Sequence, residues 1–151
     1  FDPYASINHM QLSGVLGEEV ENAQQLIEKS QESARRNFQK TLNFFPAVMV
    51  ADAEIAAYLL GPALSVEESE PVEFDDQVTR LVKCFEDAVK DIPRTNREFR
   101  SVVQQLFCLA AFMKKRAEPK SREKRKDKEE KKIVMEKAKV LEAVATELSK
   151  L

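Results

Sequence analysis

In the stretch FDDQVTRLVKCFEDAVKDI, apolar side chains recur every third or fourth residue, at Phe74, Val78, Leu81, Phe85, Ala88 and Ile92. That spacing places them on one face of an α-helix and on both faces of a strand, so it selects the helix. The same rhythm runs through most of the chain. Leu16, Val20, Ala23, Ile27, Ala34, Phe38, Leu42 and Phe45 predict one long helix over 15–45, with a polar turn at Ser30. Glu18, Glu19 and Glu21 crowd its start and Arg35, Arg36 and Lys40 its end, both complementing the helix dipole. PAVMVADAEIAAYLL is apolar nearly all round and predicts a short buried helix over 46–60. Pro46 would sit in its first turn and Gly61–Pro62 would end it.

Two further helices follow, over 74–92 and 95–117. Pro93 stops the first, and Thr95 with Glu98 three residues on reads as a capping box opening the second. Phe99, Val102, Val103, Leu106, Phe107, Ala110 and Met113 make its stripe wide enough to demand a large covering surface. The acidic stretch SVEESEPVE between the second and third helices reads as a surface loop. Three glycines and no tryptophan argue against a sheet, which needs turn residues at regular spacing. The expected fold is all-α: a four-helix antiparallel bundle over 15–117, preceded by an irregular segment 1–14. A charged helical arm over 118–151 completes it.

Charge divides the chain unevenly. Residues 1–113 carry 18 acids and 10 bases, a balance of −8, whereas 114–132 carry 11 bases and 5 acids, a balance of +6. The bases are Lys114, Lys115, Arg116, Lys120, Arg122, Lys124, Arg125, Lys126, Lys128, Lys131 and Lys132. Such a block can neutralise phosphate. It lacks the aromatic platforms and the Asn or Gln side chains with which proteins read bases. Its acids are interleaved, so on a helix Glu123 would face Lys126 and Asp127 would face Lys131. A solvated helical arm is therefore the first reading, an acidic protein surface the second, and nucleic acid the third. Beyond it, Val134, Ala138, Leu141, Ala145 and Leu148 step by four and three as a short heptad seam. That seam is expected to bind a partner helix or a second copy, or to fold back on the bundle.

No pattern of catalysis is present. His9 is the only histidine and has no second ligand or base at useful spacing, and glycine loops and Cys–His signatures are missing. Asp52 and Glu54 lie two apart on a helix and so point in different directions, marking its outer edge. Cys84 and Cys108 stand alone within apolar patterns and read as buried free thiols of a reducing compartment. The expected protein is a non-enzyme without cofactor or metal, cytoplasmic or nuclear, with no transmembrane segment.

The order of helices resembles the C-terminal portion of a formin homology-two domain over roughly residues 15–135. Phe38, Leu42 and Phe45 stand for that family's spaced phenylalanines, followed by Ala53 to Leu59. CFED at Cys84–Asp87 stands where its turn would be, REF at Arg97–Phe99 heads the next helix, and the charged block after Lys114 follows. The glycine of the turn is missing, the periodicity places CFED within a helix, and the family's tryptophan-bearing segment has no counterpart. The resemblance implies a cytoskeletal, actin-related scaffold and assigns no actin-binding residue.

Overall fold

The computed structural model describes residues 1–61, 72–92 and 96–151 and, within them, contains helices and no strand. In chain order these are α1 (Pro3–Leu16), α2 (Ala23–Thr41), α3 (Phe44–Leu60), α4 (Phe74–Val89), α5 (Asn96–Arg116) and α6 (Arg125–Ser149). Pro62, most of the acidic connector, Pro93 and Thr95 of the expected capping box lie outside the described residues.

The segment 1–14, expected to be irregular, is helical. Asp2 caps it, its carboxylate accepting from the backbone N–H of Tyr4 at 3.0 Å and of Ala5 at 3.4 Å. Pro3 occupies the first position, where a missing N–H costs nothing. Gly17, with φ 73°, then ends the helix, and the Glu18 N–H donates to the Ser13 carbonyl at 2.8 Å. The single helix expected over 15–45 is therefore two, broken across 17–22. Glu18, Glu19 and Glu21 sit in that break, so the first turn of α2 carries no acid. The expected stripe is interrupted with it: Leu16, Leu42 and Phe45 are exposed, whereas Ala23, Ile27, Ser30 and Ala34 form the buried side of α2.

Gly14 is part of the packing. A Cβ built there would lie 2.7 Å from Leu59 Cβ and 3.1 Å from the Leu59 carbonyl carbon, so α1 and α3 approach at a distance only glycine permits. α3 opens with Pro46 in its first turn and buries Phe44, Ala47, Val48, Ala51, Ala53, Ile55, Ala56 and Leu59. This near-continuous run follows from its position, with α1 and α2 on one side and α4 on the other.

Two apolar clusters result. The larger joins α3, α4, α5 and α6 around Ile55, Leu81, Phe85, Leu106, Met113 and Leu141. The smaller joins α1, α2 and α3 through Ile7, Met10, Ile27, Ala53 and Ala56. Each large side chain fully withdrawn from water in this way contributes about 1.5–3 kcal/mol before the entropy of ordering is subtracted. The expected C-terminal arm is no arm. α6 is paired with α5 along its length and also touches α4, so it supplies one wall of the core.

Candidate interaction surface at the α5–α6 turn

The heptad seam is the inner face of α6. Val134 is 8% exposed, and Ala138, Leu141, Ala145 and Leu148 have no exposed surface. The apolar stripe of α5 covers them. As a docking face for another molecule the seam is closed, because the apolar area it would offer is already buried within its own chain.

The basic block is likewise not one continuous helix. α5 ends at Arg116 with Lys114, Lys115 and Arg116 in its last turn, which suits the negative end of the dipole. The chain then turns through Ala117–Lys124 before α6 begins at Arg125. Glu123 organises this turn. Its carboxylate accepts from the backbone N–H of Lys120 at 2.7 Å and pairs with the ammonium of Lys131, which also donates to the Glu118 carbonyl at 2.7 Å. The Glu123 side chain is 7% exposed, so this clamp is largely shielded from water. The pairs expected on a continuous helix, Glu123 with Lys126 and Asp127 with Lys131, are replaced by Glu123 with Lys131. Pro119 and Ser121 were the sequence signal for this break.

The remaining bases divide by what they touch. Lys114 pairs with Glu142 at 2.5 Å, tying α5 to α6. Arg116 Nη1 donates to the Val15 carbonyl at 2.7 Å, and Lys137 Nζ donates to the Leu59 carbonyl at 2.9 Å. These two cations therefore close the C-terminal ends of α1 and α3, where unpaired carbonyls concentrate negative charge. Burial, and then the neighbouring Arg116, lowers the pKa of Lys137 below the ordinary lysine value. Arg125 meets Glu129 at 3.4 Å in an exposed pair of little energetic weight. Lys115, Lys120, Arg122, Lys124, Lys126, Lys128 and Lys132 are exposed, and no side-chain ion pair engages them among the described residues. Two of them, Lys120 and Arg122, line a small depression of about 250 Å³ together with Arg116, Lys131 and the acids Glu123, Asp127 and Glu130.

Other candidate groups do not converge. Glu54 lies at the outer edge of α3 as expected, bonded by Gln31 at 2.8 Å and Arg80 at 3.2 Å. Asp52 does not. It is half-buried where α3 meets α1, and burial raises its pKa to about 7, against the lowering effect of Gln11. Gln11 donates to the Asp52 main-chain carbonyl at 3.0 Å and accepts from Gln105 at 2.8 Å, and no ion pair reaches Asp52 among the described residues. Cys84 is half-buried, and burial followed by Glu54 raises its pKa, while Cys108 is exposed rather than buried. His9 is exposed on α1, and no group of three His, Cys, Asp or Glu side chains could hold a metal among the described residues. Cys84–Asp87, aligned above with a turn, lies inside α4. Among the described residues no helix is long and apolar enough to cross a membrane. No family model matches the chain, and neither a curated protein nor a solved structure matches it.

Proposed function

We propose that the chain is a non-catalytic helical interaction module whose basic α5–α6 turn engages an acidic protein surface. One observation supports this reading: the exposed bases of the turn project from a segment tied down by the Glu123–Lys131 clamp, and no acid among the described residues pairs with them. A rigid display matters because immobilising long side chains on binding costs free energy. In the finer form of this reading, α3 to α6 make an antiparallel four-helix unit, with α1 and α2 laid against α3. The formin-like order of helices suggests a place at the cytoskeleton, with actin as the first partner to try.

The test is charge reversal at exposed positions that carry no packing. A Lys120→Glu, Arg122→Glu, Lys124→Glu, Lys126→Glu variant is compared with the native chain in actin co-sedimentation, in affinity capture with mass spectrometry, and in gel shift with RNA and duplex DNA. The reading expects a protein captured by the native chain to be lost by the variant. Capture unchanged by the reversal overturns it. A salt-sensitive shift of nucleic acid that the reversal abolishes would instead place the turn on phosphate.

A further inference from the structure

A second surface, sharing no residue with the basic turn, has the opposite character. Along α4, Phe74, Val78 and Val82 follow one another at helical spacing on the side next to α6, where Ala143 and Thr146 complete a groove of about 600 Å³. Its floor is continuous with the main core: Val78 belongs to the core, and Val82 and Ala143 pack against it. Yet Phe74 stays 37% exposed and Val82 and Ala143 are only half-buried, so the apolar strip is not covered by its own chain among the described residues. Asp75, Glu86 and Glu147 stand among the lining residues. Among the described residues Lys83 is the one base that lines it, and Asp87 holds its ammonium at 3.2 Å. Lys150 pairs with Glu147 at 2.8 Å, which leaves Asp75 and Glu86 without an ion-pair partner among the described residues.

We infer that the α4–α6 groove receives a basic amphipathic helix of a partner protein. From Phe74 to Glu86 the lining follows α4 for about three turns, roughly 18 Å. A helix laid there would set apolar side chains at i, i+3 and i+7 onto Val78, Val82 and Ala143. Its lysines or arginines would meet Asp75 and Glu86. The acidic rim selects against the acidic partner suited to the basic turn, because like charges brought together at an interface are repelled.

The experiment uses the full chain and a labelled synthetic peptide with leucines at i, i+3 and i+7 and lysines elsewhere, read by fluorescence anisotropy. A matched peptide with glutamates in place of the lysines is the control. The lysine peptide binds, its affinity falls with added salt, and the glutamate peptide binds at least about tenfold more weakly. Asp75→Lys with Glu86→Lys weakens the lysine peptide by about tenfold or more, and amide shifts on binding centre on Thr79, Val82 and Thr146. Both substituted positions are exposed; should the double variant lose its cooperative melt, Glu86→Gln supplies the same comparison with a smaller expected loss. Equal binding of the two peptides, affinity untouched by the substitutions, or shifts centred on Lys120 overturns the inference. So does a concentration-dependent rise in mass that the substitutions abolish, since the occupant would then be a second copy. None of these results depends on reversing the charges of the basic turn, so the two surfaces fail or succeed separately.

Discussion

Asp52 holds a half-buried carboxyl that no cation neutralises among the described residues, with the amide of Gln11 beside it. An ordinary carboxyl titrates near pH 4 in an unfolded chain, whereas this one titrates at about 7 in the folded protein. Between those values the folded state keeps a proton that the unfolded state has released. The stabilising contribution of the neutral carboxyl is complete below about pH 4 and is lost as pH rises through 7. Burial of the residue is only partial, so the loss is discounted to roughly 2–3 kcal/mol. Thermal melts from pH 5 to 8.5 should show the native chain losing stability across this range and Asp52→Asn losing much less. Equal slopes would mean that the carboxyl is hydrated. The alternation of Asp52 and Glu54 along α3 was legible, and so was their divergence. Which of the two faced inward was not, because a helix buried almost all round offers no polar face by which to orient it.

At the scale of elements, the helices with one apolar stripe on one face, α4 and α5, were legible in place and type. α1 was not. Its apolar residues occupy both sides, with Ile7, Met10 and Val15 buried and Tyr4, Leu12 and Leu16 exposed, so no stripe emerges. Pro3 is a first-turn residue and Gly14 a site of close approach to Leu59, so neither breaks the helix. The Asp-Pro pair at 2–3 was the missed signal. Asp2→Ala should cost about 1 kcal/mol. Hydrogen exchange should place the loss in α1, with faster exchange at Tyr4 and Ala5 and little change in α5. An unchanged α1 would show that packing on α3 alone holds its first turn.

For the molecule as a whole, the decisive event is the return of α6 onto α5. A short heptad seam is satisfied by any apolar stripe of matching length, in its own chain or in another. The stripe of α5 lies close in sequence, joined through a turn that Glu123 clamps, so closing this contact costs little loop entropy. Leu141→Asp with Leu148→Asp should therefore abolish cooperative unfolding, each change placing an unpaired charge where the native side chain has no exposed surface. A folded variant that has merely lost a partner would return the seam to the surface.

Periodicity and composition alone determined that this chain would be helical, that α4 and α5 would each turn an apolar stripe toward a core, although Phe74 and Phe107 of those stripes remain exposed, and that its bases would gather in one block. Those are local properties, set by 3.6 residues per turn and by side-chain solvation. Only the tertiary structure decided that the seam of α6 faces inward, that the bases surround a turn, and that an acidic apolar groove remains between α4 and α6. Each depends on which surfaces meet, and helices of equal amphipathicity are told apart by the shape and reach of their neighbours.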